Sequence, residues 1–134
     1  MHVDLEKSIP IIGFDIVLNF GVFYHLINPE RFFIETVKMA KVMMLIDGNV
    51  STDIDQRIHI DDKSRFDQSL HGAVKLMTEE SMVKIFAGYK VTNLNSEMDE
   101  IAKLTGSPYN YQLGGDFLKR HKMKRTMLLV EPVN

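Results

Sequence analysis

The stretch IIGFDIVLNFGVFYHLI, residues 11–27, decides the fold class of this 134-residue chain. Every second residue from Ile12 to Leu26 is apolar, and the positions between them include two glycines, an aspartate, an asparagine and a histidine. An amphipathic helix would space its apolar residues three and four apart, whereas a spacing of two is typical of a β-strand. We therefore predict a strand. Because the run is long for one strand, Gly13 or Gly21 is expected to mark a bulge or bend.

The next segment, NPERFFIETVKMAKVMMLIDGN at residues 28–49, predicts one long helix. Its initial Asn-Pro pair suits a helix cap followed by a first turn, and Gly48 or Asn49 would end the helix. From Phe32 to Ile46 the side chains are apolar around much of the helix, although covering one face of a sheet needs only a stripe. This surplus predicts a second buried side, formed by another subunit.

The rest of the chain alternates between helical and strand periodicity. The patterns predict strands at 56–60, 82–92 and 125–132, and helices at 62–77, 95–106 and, for one or two turns, 116–123. Such alternation is typical of α+β or α/β proteins. We predict a single domain over residues 1–134, with a mixed sheet of four to five strands and about three helices packed on it.

Composition excludes some classes of protein. Hydrophobic residues make up 45% and charged residues 25%, as in a globular protein, and a net charge of −2 does not suit a polycation that coats nucleic acid. The absence of cysteine excludes disulfides and thiolate chemistry. The acidic first residues are unlike a signal peptide, and the longest apolar run is too interrupted for a membrane span. We expect a soluble cytoplasmic protein without membrane partners.

Positive charge is concentrated in KRHKMKR, residues 119–125. Residues 1–118 carry 11 Lys/Arg against 17 Asp/Glu, whereas residues 119–134 carry 5 against 1. Such a cluster is expected to be solvated, or neutralised by the protein's own acidic surface or by a neighbouring subunit, and the alternative is a site for nucleic-acid phosphates or another anion. The residues of this predicted site are Lys119, Arg120, Lys122, Lys124 and Arg125.

An acidic segment, STDIDQRIHIDD at residues 51–62, offers ligands of the kind that divalent cations prefer. Its spacing does not match a calcium-binding loop, because Arg57 and Ile58 stand where an oxygen ligand and a glycine are required. The alternative is a polar loop whose last carboxylates cap the following helix. We therefore predict no metal site and no cofactor. The residues that would bind a metal are Asp53, Asp55, His59 and Asp61.

Two features predict contacts with other proteins. Nine methionines are generous for this length, and methionine suits adaptable contact surfaces as well as cores. The loop SPYNYQLGG, residues 107–115, carries tyrosines, which offer large contact area at low entropic cost. The predicted partner-binding residues are Met39, Met43, Met44, Tyr109 and Tyr111.

Catalytic motifs are missing from the sequence. There is no G-x-S-x-G segment, and the histidines form no H-x-x-x-H or H-E-x-x-H pair, so catalytic residues are not predicted. We predict a non-enzymatic interaction protein that self-associates or docks into a larger complex, with a homo-oligomer or other protein subunits as partners. The alternatives are a nucleic-acid-binding regulator that uses residues 119–125 and a metal-dependent enzyme.

Overall fold

Six β-strands and three α-helices make up the part of the chain that the structure describes. The computed structural model describes residues 4–9, 12–59, 73–106 and 122–133. In chain order the elements are β1 (Phe14–Phe20), α1 (Pro29–Val37), β2 (Ala40–Ser51), β3 (Gln56–His59), β4 (Ala73–Leu76), α2 (Glu79–Ile85), β5 (Tyr89–Asn93), α3 (Asn95–Thr105) and β6 (Met123–Pro132).

Four of the strands form one mixed sheet in the order β1-β2-β6-β5. β1 and β2 run parallel and are connected through α1, whereas β6 runs antiparallel to both β2 and β5. β3 and β4 form a separate antiparallel pair. The predicted α+β class, with a mixed sheet and three helices, is confirmed.

The predicted first strand is confirmed, and Gly21 ends it. Gly21 has φ 69°, a left-handed conformation that glycine adopts at little cost. A short 3-10 turn follows at Phe23–His25, and the Phe23 side chain is fully buried. The long apolar run is therefore a strand, a glycine bend and an anchored turn.

The prediction of one helix over residues 28–49 is right at its start and wrong at its end. The Asn28 side chain accepts a hydrogen bond from the Arg31 backbone N–H at 3.1 Å, as expected of a helix cap. The helix stops at Val37, however, and β2 begins at Ala40. Strand pairing on both sides of β2 outweighs the helical preference of its residues, since propensity is a weak prior against tertiary contacts.

The surplus of apolar residues that predicted a second subunit is therefore not on one helix but is divided between α1 and β2. Phe33 on α1 and Met44 and Ile46 on β2 are all fully buried within the chain itself. They lie on two elements that pack on each other across the core. The reason for expecting another subunit at this segment is removed.

Three other predicted elements need correction. The segment 82–92, predicted as a strand, is the end of α2 followed by β5, with Gly88 at φ 88° in the turn between them. The end of the predicted helix 62–77 is strand β4, and the rest of that segment lies largely outside the described residues. The helical turns predicted at 116–123 also lie mostly outside them, and Met123 begins β6.

Helix α2 was missed because its apolar residues also fit a period of two. The Thr78 hydroxyl accepts a hydrogen bond from the Ser81 backbone N–H at 3.1 Å, and two glutamates occupy the first turn. Both features stabilise a helix N-terminus. The strands at 56–60 and 125–132 and the helix at 95–106 are confirmed with small shifts, and Gly106 ends α3 at φ 67°.

The core lies on one face of the four-stranded sheet. α1, α2 and the turn after β1 contribute to it, and Val17 of β1 packs against it. Because side chains alternate along a strand, the next positions of β1 point to the opposite face. We call that side of β1 the open face, formed by the exposed residues Phe14, Ile16, Leu18 and Phe20.

Within the described ranges, the helices are too short or too polar to span a lipid bilayer. The cytoplasmic location and the extent of the domain over residues 1–134 stay predictions.

Candidate functional site

The parallel pair β1 and β2 places the carboxyl ends of both strands at one edge of the sheet. In open α/β sheets, ligands bind in the crevice outside the carboxyl ends of the strands. Polar and conformationally special residues gather at this edge. We call this group the carboxyl-end site; it comprises Gly21, Tyr24, His25, Asp47, Asn49 and Arg125.

The turn after β1 is held against the end of β2. The Gly21 backbone N–H donates to the Asp47 carbonyl oxygen at 2.8 Å. A Cβ atom added at Gly48 would lie 2.8 Å from Tyr24 Cδ1 and 2.9 Å from Phe23 Cζ, and closer still to another atom of the Phe23 ring. Only glycine at this position leaves room for the Phe23 and Tyr24 rings to pack directly on the backbone of β2.

This packing orders the polar side chains of the turn. The Phe23 and Tyr24 rings meet edge to face with centroids 5.5 Å apart, and the Tyr24 and His25 ring centroids are 4.3 Å apart. Phe23 supplies the buried anchor, while Tyr24 and His25 are half-buried. A hydroxyl and an imidazole thus lie on the turn that follows β1.

An ion pair occupies the neighbouring position on the sheet. Arg125 of β6 donates from Nε to Asp47 Oδ1 at 3.1 Å and from Nη2 to Asp47 Oδ2 at 2.5 Å. The Asp47 and Arg125 side chains are only 11% and 15% exposed. Two parallel hydrogen bonds between guanidinium and carboxylate are strong and directional, so they hold β2 and β6 in register at this edge.

Two asparagines nearby have buried amide atoms without a hydrogen-bond partner among the described residues. The unpaired atoms are Oδ1 of Asn49 and both Oδ1 and Nδ2 of Asn19, a residue that is 3% exposed. An unpaired buried polar group costs about 1–3 kcal/mol, so such groups are rare without a water, ligand or partner. Asn49 lies within the carboxyl-end site, and its Oδ1 retains the capacity to accept a hydrogen bond.

The structure pairs the described cations of the basic segment with acids of the same chain. Arg125 binds Asp47, and Lys122 Nζ lies 3.3 Å from Asp53 Oδ2. Lys124 Nζ lies 2.9 Å from Glu79 Oε2. These three cations lie on or beside a strand rather than a helix, and each is paired with an acid of the same chain. An anion-binding role for the segment stays a prediction. The other two members of the segment, Lys119 and Arg120, lie outside the described residues.

Glu79 is the centre of a second polar cluster. Its Oε1 accepts hydrogen bonds from Thr126 Oγ1 at 2.5 Å and from Asn95 Nδ2 at 2.7 Å. Asn95 Oδ1 in turn accepts from the Met127 backbone N–H at 2.8 Å. With the Lys124 ion pair, these bonds tie the first turn of α2 to the start of α3 and to β6. This cluster is a structural one, because its groups are satisfied by one another.

Folding stability is expected to fall in acid because of Glu79. Burial by itself would raise the pKa of Glu79, but hydrogen bonds from Thr126, Lys124 and Asn95 and the charge of Lys124 lower it below its ordinary value. The unfolded chain then binds more protons than the folded chain, so this contribution is complete above the unfolded pKa of about 4.3 and is lost as the pH falls through the lower folded pKa. Urea unfolding between about pH 3 and 7 measures this loss.

The variant Glu79→Gln isolates this effect. It cannot titrate at this position, so its stability should change less with pH over the same range than that of the wild-type chain. Glu100→Gln, which alters an exposed ion pair on α3, is the matched control and should keep the wild-type slope. An unchanged slope in Glu79→Gln would contradict the assignment.

The carboxylates proposed for metal binding are engaged with other groups. Asp55 accepts hydrogen bonds from the Thr78 backbone N–H and from Ser81 Oγ, both at 2.8 Å, and Asp53 pairs with Lys122. Asp61 and the His59 side chain lie outside what the structure describes. Among the described residues, His, Asp and Glu side chains form no group of three or more that could hold a metal ion.

The predicted partner-binding methionines lie around the start of β2. Met44 is fully buried in the core, whereas Met39 and Met43 are half-buried. Tyr109 and Tyr111 lie outside the described residues. Met44 is therefore a core residue, and the contact role of the other four stays a prediction.

Sequence reasoning missed the members of the site that lie on β2. Asp47 and Asn49, with Gly48 between them, were assigned to the end of a helix, so these two members were not placed beside the end of β1. A strand-helix-strand reading of residues 14–51 would have found them, since such a unit brings two carboxyl ends to the same edge.

Comparison with known proteins gives fold-level likeness only. No family model matches the sequence, and no curated protein is significantly similar to it. Two solved structures of the N-terminal domain of EvdMO1, one in the presence of SAH and D-fucose and one with SAH bound, match 98% of this chain at 12% identity, with TM-scores of 0.68 and 0.67. A structure of the [4+2]-cyclase SpnF matches 98% at 15% identity, with a TM-score of 0.51.

The chain spans only about half the length of these structural neighbours. The match covers 53% and 52% of the two EvdMO1 chains and 55% of the SpnF chain. This likeness shows the fold that the chain shares with them.

The prediction of a non-enzymatic assembly protein is wrong. The chain shares its fold with two other proteins. One is a domain solved with SAH bound, and the other is a cyclase, which is an enzyme. The apolar helix from which the prediction was made is also divided between α1 and β2.

Proposed function

We propose that the chain forms part of an enzyme domain that binds an S-adenosyl ligand such as SAH, and that the carboxyl-end site supplies one wall of the binding site. The observation that carries this proposal is the match of nearly the whole chain to two structures of a domain solved with SAH. Because folds host many functions, the ligand class is argued further from the site itself.

The carboxyl-end site has the chemistry that such a ligand needs. An S-adenosyl group carries ribose hydroxyls and an amino-acid end, which require hydrogen-bonding partners when they are bound. Asn49 has a buried oxygen without a partner among the described residues, and Tyr24 and His25 present a hydroxyl and ring nitrogens on the turn after β1. Phe20 lies next to Asp47 in the register and adds apolar surface.

S-adenosylmethionine, the methylated counterpart of SAH, would supply a methyl group for transfer, and SAH would remain after that group had left. Within this chain, the Gly21 turn and the Asp47–Arg125 pair keep the end of the sheet rigid. Rigid positioning matters because small displacements of reacting groups cost large factors in rate. The roles proposed for these residues are therefore binding and orientation.

Titration of the protein with SAH tests this proposal. The protein is purified from its own host together with any polypeptide that accompanies it. Calorimetry of this preparation should show a saturable heat of binding for SAH. At a ligand concentration of a hundred times Kd, SAH should add about 2.7 kcal/mol to the free energy of unfolding. Asn49→Ala should weaken binding by about tenfold, the effect of one lost hydrogen bond of roughly 1.4 kcal/mol.

The matched control is Lys103→Ala, which removes an exposed ion pair with Glu100 on α3. It should bind SAH as tightly as the wild-type protein. Absence of any heat or thermal shift with SAH at about 1 mM would overturn the proposed ligand class, because a binding free energy of about −4.1 kcal/mol or better would be detected at that concentration.

A further inference from the structure

The open face is an apolar surface on the outermost strand of the sheet. The side chains of Phe14, Ile16, Leu18 and Phe20 are 48%, 52%, 61% and 46% exposed. They are consecutive members of one face of β1, so they form a continuous stripe rather than scattered apolar residues.

The backbone edge of β1 is also open. β1 is the last strand of the four-stranded sheet, so within the described ranges only its β2 side is paired. Sheet edges are normally protected by charged residues, proline or bulges. β1 carries one charged residue, Asp15, and its register irregularity between Phe14 and Ile16 lies in the pairing with β2. Parallel strands are normally covered on both faces. The alternating residues of β1 give it an apolar face that is exposed among the described residues.

We propose that a second α/β unit, encoded outside residues 1–134, docks on β1 by adding a parallel strand to its free edge and packing a helix on the open face. The length of the structural neighbours argues for this occupant. They match 98% of this chain but only 53% and 52% of their own, so each has additional chain of about this chain's length. In the neighbours that additional length belongs to the same polypeptide as the matching part.

The orphaned amide of Asn19 is a further reason to expect this partner. Asn19 lies on the edge strand, is 3% exposed, and has neither amide atom paired among the described residues. Asn19 shares the core face of β1 with Val17, so a helix on the open face does not reach it, whereas a side chain of the strand added beside β1 can. The docked unit would therefore satisfy a buried polar group that the chain leaves unpaired.

A second copy of the chain is a poorer occupant. Two copies related by a two-fold axis would pair their β1 strands antiparallel, and neither copy would add the strand-helix unit that covers the open face of a parallel edge. Pairing of two copies is one of the outcomes that would overturn the inference.

Site-specific photo-crosslinking in the host cell tests the inference. The full chain carries p-benzoylphenylalanine at Ile16, and the crosslinked peptides are identified by mass spectrometry. We expect a product that contains a peptide from outside residues 1–134, located in an apolar strand followed by a helix. The same probe at Val83, an exposed apolar position on α2, should not capture that peptide.

A variant confirms that capture depends on the apolar stripe. Leu18→Asp should reduce the Ile16 crosslink by at least about tenfold, because docking would bury an unpaired charge. Leu18 is already 61% exposed, so the melting temperature of the isolated chain should change by only a few degrees. Crosslinking that persists in Leu18→Asp would overturn the inference.

Three other outcomes would also overturn it: a crosslink to a second copy, a crosslink to residues 60–72 or 107–121 of the same chain, or no crosslink. The inference does not depend on SAH binding. If the protein gives the expected crosslink but binds no SAH, the docking surface is supported and the proposed ligand is overturned. If it binds SAH but gives no such crosslink, the ligand is supported and the docking surface is overturned.

Discussion

Replacing Arg125 by methionine is expected to lower the free energy of unfolding by about 3–5 kcal/mol. The reason is the carboxylate that stays behind, because the Asp47 side chain is only 11% exposed and Arg125 holds it through two hydrogen bonds. Methionine retains much of the length of the arginine stem but leaves Asp47 without the guanidinium charge. Urea unfolding followed by far-UV circular dichroism measures the change.

The control for this prediction is Lys122→Met. Lys122 and Asp53 form a pair whose side chains are 67% and 51% exposed, so its loss should cost less than about 1 kcal/mol. Removing both charges of the buried pair, in Asp47→Asn with Arg125→Met, should restore part of the loss, since no uncompensated charge remains. An Arg125→Met variant as stable as Lys122→Met would show that the pair does not hold this edge together.

Replacing Gly48 by valine is expected to cost about 3 kcal/mol or more, at the upper end of the range for overpacked cores. Even the first added carbon would lie 2.8 Å from Tyr24 Cδ1 and closer still to the Phe23 ring, and Phe23 is fully buried. The turn after β1 must move away from β2, which also displaces Tyr24 from the carboxyl-end site. We therefore expect lower stability in urea unfolding and weaker SAH binding in the same variant.

Gly13→Ala is the matched control for this substitution. A Cβ atom at Gly13 would meet only the end of the flexible Lys41 side chain, with Lys41 Cε at 2.9 Å. That side chain can move aside, so the expected change is within about 1 kcal/mol. If Gly48→Val proves as stable as Gly13→Ala, the close packing of the turn on β2 does not contribute to the free energy of unfolding.

The sequence predicted the features that depend on neighbouring residues. The alternation from Ile12 to Phe20 predicts β1, Asn28 predicts the start of α1, and Gly106 predicts the end of α3. In each of these, the deciding feature lies within a few residues. For β1 it is the alternation of side chains, for α1 the hydrogen bond from a backbone N–H three residues later to the capping side chain, and for α3 a glycine in a left-handed conformation.

The boundary between α1 and β2 could not be predicted in this way. The apolar residues between Phe32 and Ile46 satisfy both a helical face and an alternating strand, so local pattern does not choose between them. The choice is made by hydrogen bonds to β1 and β6, whose residues are far away in the chain. The incorrect choice hid the strand-helix-strand unit, and with it the site at its carboxyl end.

By itself, the sequence determined the class of the fold, the first strand, the cap of the first helix and the absence of cysteine chemistry. Only the tertiary structure decided that Asp47 meets Arg125, 78 residues away, beside the turn after β1. It also decided that Phe14, Ile16, Leu18 and Phe20 form an exposed stripe at the sheet edge. The physical reason is that periodicity reports which side chains share a face, whereas strand order and register determine what that face meets.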